Sequence, residues 1–155
     1  LGLDYLWNKV RVQKGAYGCF AEFGRSGSMF FVSYRDPSVG KTLETYDRAY
    51  QYIEDFTVSK RDMTKYIIGT ISKLDFPVTP AMKGERAQRF YISGITEELL
   101  QKERDEILAA DQESIRNLGP MVKKCMEQDY ICVLGNHDKI KQEGQLFDHL
   151  IEVFK

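Results

Sequence analysis

The hydrophobic pattern of this chain changes period within its first twenty-odd residues, and that change limits what it can fold into. Leu3, Leu6, Trp7 and Val10 fall at i, i+3, i+4 and i+7, the spacing of one helical face. Lys14-Gly15 closes the pattern. From Tyr17 to Phe23 the period is two, with Tyr17, Cys19, Ala21 and Phe23 on one face and Gly18, Phe20 and Glu22 on the other. Gly24-Arg25-Ser26-Gly27 reads as a turn. Met29 to Arg35 reads as a second strand, so the pair is an antiparallel hairpin, ended by Asp36-Pro37.

Helical stretches dominate the remainder of the chain. Ser38 is placed to cap the first, with Leu43, Tyr46, Tyr50 and Ile53 inward. Ser59-x-x-Asp62 resembles a capping box and opens a helix that turns Met63, Tyr66, Ile67, Ile71 and Leu74 inward. Thr79-Pro80 caps a helix running to about Ile92, with proline at the first helical position. Thr96 caps another through Leu108, and Asp111 a further one through Glu127. Tyr130 to Leu134 reads as a short buried strand, Gly135-Asn136 as a turn, and Leu146, Leu150, Ile151 and Phe154 as a final helix. The order predicts an α+β, two-layer fold with helices packed on one face of a mostly antiparallel sheet. Three strands are few for a free-standing sheet of this length, so the expected unit is an incomplete half whose other strands lie upstream. Leu1 is not an initiator methionine and a helix is under way by Leu3, as expected of a piece of a longer chain. Residues 1–155 read as a single domain without repeats or linkers.

Composition removes whole classes of function. The 22 basic and 23 acidic side chains leave a formal net charge of -1, which gives no electrostatic case for nucleic acid. No apolar run approaches the roughly 20 residues of a membrane span. The three cysteines, Cys19, Cys125 and Cys132, lack metal-like or redox-like spacing and are odd in number, which points to a reducing compartment. Cys19 and Cys132 sit in apolar strand-like runs, where buried free thiols are expected. His137 and His149 stand twelve positions apart with no second acidic-and-histidine cluster, so no metal is expected in this chain.

The junction of helix and hairpin carries the candidate site. It places the cation Arg11 near the helix end and the phenol Tyr17 at the strand start six positions later. Both groups donate hydrogen bonds, and a peptide carbonyl is the kind of acceptor such a pair suits. On residue type alone Arg11 reads as solvated or locally paired, Tyr17 as a core or rim tyrosine, and Trp7 as core. Ser33, Tyr34 and Arg35 fit the lining of a groove or the polarity of a strand end. Phe30, Phe31 and Tyr34 suit a pocket for a substrate side chain but read first as sheet core.

Several segments carry a family likeness. Leu6 to Gly18 resembles the start of the last half-domain of presequence protease-type zinc metallopeptidases, in the pitrilysin and insulysin superfamily. The likeness continues in Ser33-Tyr34-Arg35-Asp36-Pro37, in Met63 to Ser72, in Thr79 to Ala87, in Ile92 to Thr96 and in Tyr130 to Asn136. The resemblance implies a mitochondrial-processing-peptidase-like metallohydrolase fold, four related domains in two halves closing around a peptide chamber. It implies zinc in the N-terminal half, on an inverted His-x-x-Glu-His motif that is missing from this sequence. By residue matching it implies that Arg11 and Tyr17 reach across the chamber to substrate carbonyls and the developing oxyanion. The glycines beside the tyrosine, Gly15 and Gly18, would let a substrate strand approach. Expected partners are an unstructured peptide substrate and the N-terminal catalytic half of the same polypeptide. Surface exposed by excision gives the fragment a route to self-association. The expected location is a bacterial cytoplasm, with a mitochondrial or plastid matrix as the alternative.

Two other readings compete. A non-enzymatic peptide-binding or scaffolding domain would keep the same fold. Gly135-Asn136-His137-Asp138 after a strand also resembles a metallophosphoesterase signature, but the other motifs of that class are missing from this sequence.

Overall fold

A computed structural model describes residues 1–153, apart from the side chain of Leu3. It is an α+β structure, mostly helical, and among the described residues its sheet has two strands. The chain forms two compact units. One comprises residues 1–55 with 116–153, the other residues 56–115.

The first unit opens with a helix at Gly2–Val12, wound as a π-helix. The Leu6 N–H reaches back five residues to the Leu1 carbonyl (2.9 Å), and the Gln13 N–H reaches the Asn8 carbonyl. The wider turn alters the face read from the sequence: Leu6 and Val10 are fully buried, while Trp7 rotates out to 40% exposure. Strands β1 (Gly18–Phe23) and β2 (Met29–Tyr34) form the expected hairpin, with Gly18 opposite Tyr34 and Phe23 opposite Met29. The core gathers Leu6, Val10, Ala16, Cys19 and Tyr46, with Phe31 stacked on Tyr46 at 5.1 Å. Each fully buried aliphatic side chain of this kind contributes about 1.5–3 kcal/mol. Phe31 is therefore partly buried as expected, but Phe30 and Tyr34 face outward, half-exposed.

Helices α1 (Val39–Asp47) and α2 (Ala49–Glu54) come next. The opening helix docks on α1 through polar contacts. The Tyr5 hydroxyl donates to the Thr45 carbonyl at 2.8 Å, and the Lys14 ammonium donates to the Lys41 carbonyl and the Thr45 hydroxyl. Ser38 does not cap α1 with its side chain: its hydroxyl donates to the Lys14 carbonyl at 3.3 Å. A carboxylate from far along the chain serves that helix end instead, the Glu143 Oε2 accepting the Gly40 N–H at 2.6 Å. A Cβ at position 40 would collide with that carboxylate.

The helix expected from Asp111 to Glu127 is interrupted. Gln112–Arg116 and Gly119–Met126 form separate helices, α6 and α7, because Pro120 has no N–H to give a carbonyl of the preceding turn and is accommodated in the first turn of a new helix. Tyr130 to Leu134 is not a strand and is not buried. Tyr130 is 93% exposed and Leu134 81%, and Cys132 is exposed too, because no neighbouring strand pairs with the segment among the described residues. The Gly135-Asn136 turn leads into α8 (His137–Gln142). The expected final helix is absent through residue 153. A short 3₁₀ turn, Gly144–Leu146, stands there and Ile151 is exposed, while Phe154 lies outside the described residues.

The second unit holds α3 (Lys60–Leu74), α4 (Pro80–Ile92) and α5 (Glu97–Ala109). Ser59, Thr79 and Thr96 each accept a backbone N–H three residues on, as their spacing predicts. None of residues 56–115 is fully buried. Met63, Ile67, Ile71 and Leu74 are half-buried as their helical spacing predicts, but Tyr66 is exposed.

Candidate functional site

The end of the first helix and the start of β1 are brought together by Gly15, which adopts φ +82°. Only glycine takes that conformation at no steric cost. The reversal is pinned by the Gly15 N–H on the Arg11 carbonyl (3.0 Å) and the Ala16 N–H on the Val10 carbonyl (3.3 Å).

Arg11 lies over the Trp7 ring, its guanidinium carbon 3.9 Å from the ring centroid and 5.9 Å from that of Tyr17. Trp7 is therefore a platform for the cation, not a core residue. Tyr17 enters the sheet out of step. Its N–H donates to the Tyr34 carbonyl (3.1 Å), although Gly18 is the residue paired with Tyr34. Two residues thus oppose one, as in a β-bulge, and the face alternation breaks there. Cys19 turns inward at 8% exposure, while Tyr17 stands out at 64% instead of sharing its face. Burial pushes the Cys19 thiol up, with the Arg11 backbone working against that rise.

Tyr17 meets Tyr34 edge-on, with centroids 6.0 Å apart at 84°. Arg35 completes the group, its guanidinium carbon 5.3 Å from the Tyr34 ring and 5.8 Å from that of Tyr17. Arg35 holds φ +49°, uncommon for a residue with a side chain and typical of places where geometry serves function. Two guanidiniums therefore flank one phenol. Arg11 and Tyr17 share the lining of a cavity of about 490 Å³, together with Trp7, Gly18, Phe20 and Tyr34. That volume lies within the ordinary range of ligand clefts. Cation–π contacts hold the donors in place before any ligand arrives, which is the condition for effective stabilisation of developing negative charge.

Sequence reading brought Arg11 and Tyr17 forward, left Tyr34 and Arg35 between groove lining and strand-end polarity, and assigned Trp7 to the core. The four-residue step from Trp7 to Arg11 was a usable signal. The positive φ of Arg35 has no sequence signature. The histidine motif belongs elsewhere: the Asn136 Oδ1 accepts the Lys139 N–H at 3.1 Å, so this asparagine is the N-cap of α8. Among the described residues, no three His, Cys, Asp or Glu side chains converge on a point that could hold a metal ion. The donor set of the described residues thus does not fit a zinc ion. No described helix is long and apolar enough to cross a membrane.

An α+β unit with an arginine–aromatic cluster open to a cleft narrows the class, and comparison with known proteins completes it. Residues 1–135 match the model of the PreP C-terminal domain. The chain belongs to that family. It is 53% identical over its whole length to Protein HypA of Clostridium perfringens, covering 16% of that protein. It is 31% identical over 97% of its length to Presequence protease 1, chloroplastic/mitochondrial, of Arabidopsis thaliana, covering 14% of it. It is 30% identical over 73% of its length to the mitochondrial presequence protease of Xenopus laevis, covering 11% of it. The chain thus spans a small fraction of the relatives it matches.

Proposed function

We propose that this chain is the C-terminal substrate-contacting portion of a longer zinc metalloendopeptidase that degrades short unstructured peptides. Arg11 and Tyr17 donate hydrogen bonds to substrate carbonyls and to the oxyanion that forms at the scissile bond, and the residues that bind the metal lie elsewhere in the longer polypeptide. The observation that carries the reading is the shared cleft: two donors, 5.9 Å apart from guanidinium carbon to ring centroid, line one opening. Trp7 and Tyr34 hold them, and Arg35 adds positive charge that suits a carbonyl oxygen gaining negative charge.

In the complete enzyme, Arg11→Ala is expected to lower kcat by roughly 10²–10³, the usual consequence of losing one such donor. Tyr17→Phe, which keeps the ring and its edge-on contact, is expected to lower kcat less. Zinc content measured by atomic absorption stays at the wild-type value in both. Wild-type turnover in both variants would remove the assigned roles. The purified 155-residue chain is expected to hydrolyse no peptide, with or without added zinc, and zinc-dependent turnover by it would overturn that expectation.

A peptide-binding domain without chemistry draws on the exposed outer face of the hairpin, where Phe20, Phe30, Val32 and Tyr34 stand in solvent. Peptide hydrolysis by the longer polypeptide separates the two readings. A protein that binds peptide and leaves it intact is the scaffold.

A further inference from the structure

Arg35 stands between two clefts of the first unit. It lines the larger one, of about 930 Å³, and not the aromatic one. Its guanidinium nevertheless lies over the rings of Tyr34 and Tyr17, which do line the aromatic cleft. An exposed arginine is ordinary on a protein surface. This one is set by a left-handed backbone, which costs energy at a residue with a side chain and persists where the surroundings impose it.

The charge at this place is uncompensated. Among the described residues, neither the Arg35 nor the Arg11 guanidinium has an ion pair or a hydrogen bond. Asp36, next in sequence, is turned to another use: its Oδ1 accepts the Ser38 N–H at 2.9 Å and its Oδ2 is buried. Glu22, the one acidic residue of the two strands, sits opposite Phe30, about 13 Å along the sheet from the Gly18–Tyr34 pair. The two cations therefore meet at one phenol with no carboxylate beside them.

A peptide brings negative charge to such a place in two forms, an Asp or Glu side chain and the C-terminal carboxylate. Its backbone carbonyls are neutral, and Arg11 and Tyr17 already supply donors for them. The planar guanidinium fork matches a carboxylate through two parallel hydrogen bonds. Arg35 lies 5.8 Å from the Tyr17 ring centroid, and an extended peptide advances about 3.3 Å per residue. The matching carboxylate is thus carried close to the carbonyl that Tyr17 contacts.

We propose that Arg35 determines substrate preference by binding a peptide carboxylate placed within about three residues of the cleaved bond. This rests on the functional reading in taking a peptide to pass over Arg11 and Tyr17. It adds the substrate class: peptides with an acidic side chain or a free C-terminus near the cut.

Paired peptides offered to the longer polypeptide test it. Members of a pair differ only in Glu against Gln, scanned over about three positions on each side of the bond. A last pair differs only in a free or amidated C-terminus close to it. Both kcat/KM and Kd, the latter from fluorescence anisotropy, are read as ratios within a pair, so a general loss of rate in a variant does not enter. The expected result is a preference of about tenfold for the charged member of at least one pair. Arg35→Asn, which tolerates left-handed backbone, should bring that ratio within about twofold of unity. Arg35→Lys, which keeps the charge and loses the fork, should retain part of it. A scanned position that responds assigns the carboxylate to a side chain, and the last pair assigns it to the C-terminus; either supports the proposal. Ratios within twofold of unity for every pair overturn it, and so does a preference that survives Arg35→Asn. Peptides cut without preference sink this proposal and leave Arg11 and Tyr17 their roles. Peptides bound with the preference and left intact sink the enzymatic reading and leave this one standing.

Discussion

Residues 1–55 with 116–153 bury Leu6, Val10, Ala49 and Val122 completely, whereas residues 56–115 bury no side chain completely. The second unit is held by signals that act within or between neighbouring turns. Ser59, Thr79 and Thr96 cap its helices, the Val58 N–H donates to the Gln112 side chain at 2.9 Å, and Arg104 grips Asp75 through two hydrogen bonds of 2.7 and 2.6 Å. Burial stabilises the first unit and end-capping with local charge pairing shapes the second. The difference teaches where each is vulnerable. A core fails when a methyl group is removed from it, and capped surface helices fail when a hydrogen bond is removed.

The sharpest way to break this contrast is a matched pair of truncations. Leu6→Ala should destabilise the first unit by about 2–5 kcal/mol, the usual range for a fully buried leucine. Ile71→Ala, on a half-buried position of α3, should cost about 1 kcal/mol. Chemical denaturation of each variant measures both, and equal losses would erase the distinction. Thr96→Ala should cost about 1 kcal/mol and speed amide exchange in the first turn of α5. The environment of Trp7, followed by fluorescence, should not respond.

Titration sharpens the same comparison, because the carboxyl groups of the second unit named below and the phenols of the first shift in opposite directions. In residues 56–115, Asp62, Asp75, Glu98 and Asp111 all lie below the ordinary carboxylate range, held there chiefly by Lys65, by Arg104, by the residue's own backbone N–H and by Ser114 respectively. A depressed carboxylate contributes stability above its unfolded pKa of about 4 and loses it as pH falls through the folded value. In the first unit, burial pushes the Tyr46 phenol up to about 12, and raises Tyr5 and Tyr52 as well. A raised phenol contributes stability below about pH 10 and loses it as pH climbs toward 12. Lys14, lowered by burial, works the other way and blunts the alkaline loss. Acid should therefore loosen 56–115 first and alkali the remainder first. Hydrogen exchange at the two extremes checks this, and the same order at both would break it.

The sequence announced the second unit's elements almost residue by residue, since caps such as Thr79-Pro80 and Thr96 act within one turn. It failed where the outcome depended on distant neighbours. Tyr130 to Leu134 has strand composition, but strand is a property of a pair, and no partner stands beside it among the described residues. The rotation of Trp7 out of the core came from a π-wound helix, which period-3.6 counting does not anticipate. At the candidate site, Arg11 and Tyr17 were legible as a cation and a phenol flanking a helix–strand junction. The bulge that turns Tyr17 outward and the left-handed Arg35 were not, because both are backbone choices that residue type does not dictate.

The hydrogen bond from Gly40 to Glu143 joins positions 103 apart in the chain. The segment it anchors, Asp36-Pro37-Ser38, sits directly behind Arg35, whose guanidinium reaches the Tyr17 ring. A contact made by residue 143 thus holds the start of the helix that follows the turn carrying Arg35. Trimming the chain before residue 143 would leave every side chain that lines the aromatic cleft in place and still slacken the turn that carries Arg35 beside it.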